Sequence, residues 1–265
     1  MKPIQEVRTV TPSERPVVSL SAIDTERFGF RVARTSHLTL DTLPDINSFC
    51  EKEAVGLLIA RCSVAQLELL QSLLRAGFEL MDTLVYYVHD LARIPQRLTR
   101  EDVHVRSIVP GEENQVKALA ADIFRGYQGH YQADKKLNPF KCEQIYQSWA
   151  YRACMFRDVA DEVLVADVDG RLQGFITLKM NSSTEAEGGL FGVSTPVRGS
   201  GIAPALMCRA LDWCRAKDLE KMVISTQIHN IASQKVWVRV GFEPSHAFYT
   251  LHKWYDPNPG VPSPS

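Results

Sequence analysis

The sequence predicts an α/β fold. Segments with strand-like and helix-like hydrophobic periodicity alternate along most of the chain. The dipeptide Asp169-Gly170 separates two apolar runs, which is the strongest short signal for a β-hairpin. A buried strand at 189–193 continues through a glycine-rich loop into an amphipathic helix at about 202–217. Together these three observations favour a sheet covered by helices.

The first half of the chain, residues 21–95, is predicted to form a small α/β unit. A strand at 56–60 precedes a helix whose apolar stripe comprises Val64, Leu67, Leu70 and Leu74. Gly77 ends this helix, and residues 80–91 have the pattern of a strand. Residues 92–102 lack a clear period and are predicted to be a linker. Residues 1–20 are polar with scattered prolines, so we expect them to be disordered.

The second half, residues 101–256, is longer and more regular. A strand at 103–109 is followed by a helix with apolar residues at spacings of three and four from Val116 to Phe124. An irregular, aromatic-rich segment spans 124–152 and leads into the hairpin. After the glycine-rich loop come a strand at 221–227, a helix at 230–240 and a last strand at 247–254. Residues 257–265 are rich in Pro and Ser, and we expect them to be disordered.

Composition excludes several classes of protein. The 265 residues are 45% hydrophobic and 23% charged, and 30 Lys and Arg oppose 31 Asp and Glu for a net charge of −1. This balance argues against nucleic acid and polybasic membrane partners. No apolar run approaches the ~20 residues needed to cross a bilayer, and no secretory leader is evident. The six cysteines form no CxxC pair, so we expect no metal and a reduced, cytoplasmic protein.

The segment from Arg198 to Ala203 carries the most chemical information. Gly199 and Gly201 lack a Cβ, which lets the backbone turn tightly and approach a ligand closely. The N–H groups of a helix N-terminus are unpaired donors, and the helix dipole favours anions there. Arg198 adds a fixed positive charge. A dinucleotide loop is excluded because Pro204 occupies the position of its third glycine. The alternative is a tight turn that binds nothing.

Three linked motifs resemble the GNAT acyltransferase superfamily. Arg198-x-x-Gly201-x-Ala203 is similar to that family's [QR]xxGx[GA] loop for acetyl-coenzyme A, and Pro196 follows the preceding strand as it does there. Asn230 opens a helix that ends in Val240-Gly241-Phe242, as in the family. The resemblance covers about 101–255. It implies a GNAT fold with a mixed central sheet whose fourth and fifth strands splay apart, preceded by a truncated GNAT-like unit. Gly77-Phe78 parallels Gly241-Phe242, which indicates either an internal repeat of that kind or the common ending of any strand–helix–strand segment.

The resemblance also implies direct attack of an amine on the thioester of acetyl-CoA, without a metal. The main-chain N–H of Val193 is expected to polarise the thioester carbonyl. Asn230 is expected to contact CoA, although Asn is also a favoured N-cap residue. The residues expected to bind the cofactor are Phe191, Gly192, Val193, Arg198, Gly199, Ser200, Gly201, Ile202, Ala203 and Asn230.

The residues for proton transfer are less clear from the sequence. Family members carry a Tyr acid seven residues after the Asn, where this chain has Trp237, whose indole is a donor only. Tyr249, water, or loss of catalysis remain as explanations. Glu187 is a candidate base, because strand alternation predicts that it shares a face with Gly189, Phe191 and Val193. His130 is another candidate, since its pKa suits a neutral-pH base.

The acceptor is expected to be a small-molecule amine. A narrower resemblance, to a branch of the family that acetylates the 4-amino group of TDP-linked dideoxy sugars, rests on Asp212-Trp213-Cys214 and residues 24–33. It implies a nucleotide-linked amino sugar near Tyr131, Asp134 and Gln227, and a homodimer. A small amine or amino acid as acceptor, and a CoA-binding module without turnover, remain alternatives.

Overall fold

The computed structural model describes residues 17–35, 38–93 and 103–255. Most of the expected linker, the expected tail and residues 1–16 lie outside these ranges. The elements of the first half are β1 (Val18–Leu20), α1 (Ala22–Phe28), β2 (Val32–Thr35), α2 (Leu43–Lys52), β3 (Leu57–Ser63), α3 (Leu67–Arg75) and β4 (Glu79–Asp90). The remaining elements are β5 (His104–Ser107), α4 (Glu113–Ile123), α5 (His130–Ala133), α6 (Pro139–Met155), β6 (Glu162–Val168), β7 (Arg171–Met180), β8 (Glu185–Val193), α7 (Ile202–Arg215), β9 (Lys221–Gln227), α8 (Ile231–Arg239) and β10 (Glu243–Trp254).

The chain divides into two compact units. The first comprises residues 1–80 and 250–265, and the second comprises 81–249. The sequence placed the division between residues 95 and 101 instead. The difference arises because most of β4 belongs to the second unit and the end of β10 belongs to the first.

The first unit is a small sheet with three helices. Strand β1 is antiparallel to β2, β2 is parallel to β3, and β10 neighbours β3. The expectation that residues 18–20 are disordered is wrong, because Val18 pairs with Thr35, whose hydroxyl donates to the Val17 carbonyl at 2.6 Å. The expected stripe of α3 is also wrong. Leu70 is buried, but its buried neighbours are Leu69 and Leu73, whereas Val64, Leu67 and Leu74 are exposed.

The second unit is a mixed sheet with helices on both faces. Its strand order is β10-β4-β9-β8-β7-β6-β5, and β8 and β9 run parallel to each other. One face packs against α7 and α8 through a core that includes Leu206, Met207 and Trp237. The other face packs against α4 and α6 through a core that includes Ile123, Tyr146 and Leu190.

Strand β4 is a member of the second unit although it follows the helix of the first. It pairs with β9 in antiparallel register from Leu84↔Gln227 to Asp90↔Lys221. Conversely, β10 follows the helix of the second half, and it neighbours β3 as well as β4. Strand β4, which follows Gly77-Phe78, thus lies mostly in the second unit, and the end of β10, which follows Gly241-Phe242, lies in the first. Periodicity could locate both strands but not their partners.

The segment at 124–152, expected to be irregular, contains helix α6 of 17 residues. The Asn138 side chain caps it by accepting from the N–H groups of Phe140 (3.0 Å) and Lys141 (3.3 Å). Pro139 at the first position suits a helix start. One face of α6 is buried, through Cys142, Ile145, Tyr146, Ala150 and Ala153.

Candidate active site

Strands β8 and β9 separate at their carboxyl ends. Their parallel pairing runs from Glu185↔Lys221 to Gly188↔Ile224, and both strands then continue unpaired with each other to Val193 and Gln227. We call the opening between Gly189–Val193 and Ser225–Gln227 the strand gap. The gap confirms that the fourth and fifth strands of the family fold are splayed here.

A β-bulge in β8 explains where the gap begins. Ile176 of β7 pairs with Phe191 but Leu178 pairs with Gly188, so Gly189 and Leu190 together oppose the single residue Thr177. The Leu190 N–H donates to the Thr177 hydroxyl at 2.8 Å. Bulges bend the strand that carries the extra residue. The bend coincides with the last β8–β9 pair.

The backbone of Phe191 and Val193 faces the strand gap. Ser194 N–H donates to the Gln173 carbonyl at 2.8 Å, so residues 194 and 173 form a hydrogen-bonded pair between β8 and β7. Because such pairs alternate in antiparallel ladders, Val193 opposite Gly174 and Phe191 opposite Ile176 direct their N–H groups away from β7. These N–H groups are donors for a ligand in the gap.

The glycine-rich segment adopts the loop-to-helix geometry that the sequence predicts. A 3₁₀ turn at Thr195–Val197 precedes it, and α7 begins at Ile202. Gly199 (φ +82°) and Gly201 (φ +90°) are both left-handed, a conformation that favours glycine. Among the described residues, no protein group accepts from the N–H groups of Gly199, Gly201, Ile202 and Ala203. The Ser200 hydroxyl donates to the Val197 carbonyl at 2.6 Å and closes the turn.

Arg198 links this loop to the strand gap. Its Nε donates to the Val193 carbonyl and its terminal nitrogen donates to the Ile123 carbonyl, each at 3.4 Å. Both bonds are long, and the side chain is exposed. The guanidinium therefore lies between the end of β8 and the end of α4 with donors to spare for an anion.

Asn230 and Trp237 hold structural positions in α8. Asn230 is the N-cap: its Oδ1 accepts from Ser233 N–H at 3.4 Å and its Nδ2 donates to the Thr226 hydroxyl at 2.9 Å. The Trp237 side chain is 2% exposed and packs edge-on against Tyr87, with ring centroids 5.4 Å apart. No described protein group accepts from its indole N–H.

A polar cluster lies at the carboxyl end of β9, and the sequence predicted a site role for Gln227 in it but not for Asp82. Gln227 Nε2 donates to Asp82 Oδ2 at 3.2 Å, and the Tyr127 hydroxyl donates to Gln227 Oε1. The rings of Tyr127 and Tyr146 lie edge to face with centroids 5.3 Å apart. Burial raises the pKa of both phenols, so both stay protonated. The sequence signal for Asp82 is a carboxylate near the start of the apolar run 80–91, which carries a second carboxylate, Asp90, near its end.

The expectation that Glu187 shares a face with Phe191 and Val193 is wrong. A Cβ at Gly189 would lie 3.5 Å from Trp149 of α6, so Gly189 and Glu187 face the α6 side. Phe191 and Val193 instead pack with the α7 core. The bulge at Gly189 and Leu190 shifts the alternation of side chains along β8 by one residue, so Glu187 and Phe191 lie on opposite faces of the sheet. A role of Glu187 as a base stays a prediction.

The structure does not bring Tyr249 to the strand gap. Strand β10 lies two positions from β9 in the sheet order, about 10 Å away at the usual strand spacing. His130 and Tyr131 are on the short helix α5 with ring centroids 3.8 Å apart, and Asp134 follows them. Tyr131 and Asp134 are buried. The Asp134 carboxylate accepts from Lys136 N–H at 2.9 Å.

The described residues contain no group of three or more His, Cys, Asp and Glu placed to hold a metal ion. None of their helices has both the length and the apolar character needed to cross a membrane. The expected homodimer stays a prediction.

Comparison with known proteins agrees with this geometry. The model of the Acetyltransferase (GNAT) family matches residues 124–242. The spore coat polysaccharide biosynthesis protein SpsD of Bacillus subtilis is 23% identical over 145 residues. That match covers 55% of this chain and 48% of SpsD, so the chain aligns with about half of this curated relative.

Solved structures share the fold at low identity. A GCN5-related N-acetyltransferase from Sphaerobacter thermophilus has a TM-score of 0.63 and 14% identity, covering 92% of this chain and 77% of the other. A tandem GNAT protein from the clavulanic acid biosynthesis pathway has a TM-score of 0.57 and 14% identity, covering 87% and 76%. Over residues 124–242 the chain therefore resembles the GNAT acetyltransferase family, whose members generally use acetyl-CoA.

Proposed function

We propose that this protein transfers the acetyl group of acetyl-CoA to the amine of an amino sugar. One observation carries the proposal: the strand gap, with two backbone N–H groups facing it, opens beside a helix N-terminus preceded by left-handed glycines and Arg198. A helix N-terminus with a nearby guanidinium suits a diphosphate. The gap suits an extended pantetheine chain that ends in a thioester.

The proposed reaction is a direct transfer. The N–H of Val193 donates to the thioester oxygen and stabilises the negative charge that develops there. The neutral amine nitrogen attacks the carbonyl carbon, the C–S bond breaks, and the electron pair leaves on sulfur. The nitrogen loses one proton to a base, for which Glu187 and His130 remain candidates. Because a thiol has a pKa near 8.5, the CoA thiolate leaves readily and takes a proton from water.

A nucleotide-linked 4-amino-dideoxy sugar is the proposed acceptor. The printed name of SpsD places that relative in polysaccharide biosynthesis, which supports a sugar-related substrate. We propose that the acceptor lies near Gln227, Tyr131 and Asp134, on the face of the sheet covered by α4 and α6. Tyr127, whose ring packs edge to face on the buried Tyr146, supplies aromatic surface there for a sugar or base.

The experiment measures acetyl-CoA binding by calorimetry and thiol release from acetyl-CoA with a panel of amines. The panel contains TDP-4-amino-4,6-dideoxy-D-galactose, D-glucosamine and a set of amino acids. We expect heat with acetyl-CoA and fastest thiol release with the TDP-sugar. Absence of heat refutes the proposal. Heat without release for any amine supports a CoA-binding module, the alternative that Trp237 favours by replacing the family's acid.

A further inference from the structure

One carboxylate oxygen of Asp82 has no hydrogen-bond partner among the described residues. Its Oδ2 accepts from Gln227, whereas its Oδ1 is inaccessible to solvent and accepts from no described protein group. No ion pair to Asp82 occurs among the described residues. A buried carboxylate oxygen without a donor costs free energy. A hydrogen-bond donor or a cation supplied by a ligand would satisfy this oxygen.

The position of Asp82 relates it to the strand gap. Leu84 pairs with Gln227, and Ile228 N–H donates to the Thr83 carbonyl at 2.8 Å, so Asp82 lies just beyond the end of β9. Asp82 and Gln227 share one face of the sheet because Asp82 is two residues from Leu84. Counting from the last β8–β9 pair, Gln227 lies about level with Phe191 across the gap.

The surroundings of Asp82 favour an amine over a metal ion. It is a single carboxylate beside an amide and two phenol rings, Tyr127 and Tyr146, on both of which its charge acts. The face of an aromatic ring attracts an alkylammonium group, and the Tyr127 hydroxyl, which donates to Gln227, can still accept a hydrogen bond from an amine N–H. Hard divalent cations instead require several oxygen ligands at short range.

We propose that Asp82 Oδ1 binds the amine of the acceptor and places it beside the strand gap. The inference rests on the proposed function and adds to it the residue that selects an amine over a hydroxyl. Asp82 lies on β4, so the first half of the sequence supplies an acceptor-binding side chain to the catalytic unit. The family's loop motif contains no equivalent signal for this residue.

The test compares Asp82→Asn with Asp90→Asn, an exposed carboxylate at the other end of β4. With TDP-4-amino-4,6-dideoxy-D-galactose as acceptor, we expect kcat/KM to fall about 30-fold in Asp82→Asn, mainly through KM. We expect the acetyl-CoA Kd to be unchanged in both variants, and Asp82→Glu to recover part of the loss. Asp82→Asn with wild-type kcat/KM overturns the inference while leaving the proposed function intact.

A binding experiment without acetyl-CoA separates the inference about Asp82 from the proposed function. Calorimetry compares the 4-amino sugar nucleotide with TDP-fucose, its 4-hydroxy counterpart. We expect wild type to prefer the amine about 10-fold or more and Asp82→Asn to bind both alike. If this pattern is observed but the protein transfers no acetyl group, the proposed function is refuted and the inference about Asp82 stands. If wild type shows no preference for the amine, the inference fails. If Asp82→Asn unfolds, Asp82→Ser, which also removes the carboxylate, replaces it in the same comparison.

Discussion

The indole ring of Trp237 lies beside the phenyl ring of Phe191, with centroids 6.4 Å apart. Phe191 belongs to the strand that borders the gap, and Trp237 lies at the position where the family resemblance implies a Tyr acid. The indole N–H has no described acceptor, and it cannot supply a proton at neutral pH. Trp237 therefore packs against Phe191 beside the strand gap and does not serve as an acid.

Trp237→Phe tests this interpretation. We expect kcat for thiol release to change less than about 3-fold, because the thiolate needs no protein acid to leave. The smaller ring leaves a cavity in the α7 core, so the free energy of unfolding should fall by about 1–3 kcal/mol. Urea denaturation and steady-state kinetics measure the two effects. A loss of kcat above 10-fold with unchanged stability would instead make the N–H a functional donor.

Gly201→Val should weaken acetyl-CoA binding more than 10-fold, because its side chain would stand where the loop backbone approaches the diphosphate. Valine at φ +90° is also strained, so the fold will lose stability. Gly170→Val is the matched control, since Gly170 has φ +75° in the hairpin turn. We expect both variants to lose similar stability by thermal melting, and only Gly201→Val to lose affinity by calorimetry. Equal affinities would contradict the loop assignment.

Local signals were sufficient to predict the loop-to-helix geometry of the segment from Arg198 to Ala203. The residues from Arg198 to Ala203 are contiguous, and the conformations of Gly199 and Gly201 follow from their chemistry. The face of Glu187 could not be predicted, because the bulge at Gly189 and Leu190 depends on how β7 pairs. A one-residue bulge reverses the alternation on which the prediction relied.

The acceptor side depends on contacts distant in sequence. Asp82 and Gln227 are 145 positions apart and meet because β4 pairs with β9 instead of staying with its own half. Hydrophobic periodicity identifies a strand but carries little information about its partner. For the same reason the sequence placed the division at 95–101, although β4 is part of the second unit.

Asn230 has two candidate roles, as the N-cap of α8 and as a contact to CoA, and two variants separate them. Both polar atoms of the side chain are engaged within the protein, so we expect the N-cap to be its main role. Asn230→Ala should lose about 1 kcal/mol of stability, whereas Asn230→Ser, which keeps a capping oxygen, should lose little. We expect acetyl-CoA affinity within 3-fold of wild type in Asn230→Ser. A 10-fold loss there with unchanged melting would establish the CoA contact that the family resemblance implies.

The final prediction concerns pH and the fork formed by Arg106. Its two terminal nitrogens donate to both oxygens of Glu112, at 2.9 and 2.7 Å, and one also donates to Asp167 at 3.0 Å. These bonds to Arg106 hold the pKa of the Glu112 carboxyl below its ordinary value. A depressed carboxyl pKa stabilises the fold above the unfolded-state pKa, and the stabilisation disappears as the pH falls through the folded-state value.

Glu112→Gln should therefore cost about 1–3 kcal/mol at pH 7 and progressively less below pH 4, where the wild-type carboxyl also becomes neutral. Urea denaturation at pH 7, 5 and 3 measures the difference between the two proteins. Glu143→Gln, at an exposed position of α6, controls for the general effect of removing one negative charge. A difference between wild type and Glu112→Gln that stays constant with pH would mean that the side chain stabilises β5 and α4 through its shape and neutral hydrogen bonds, and not through its charge.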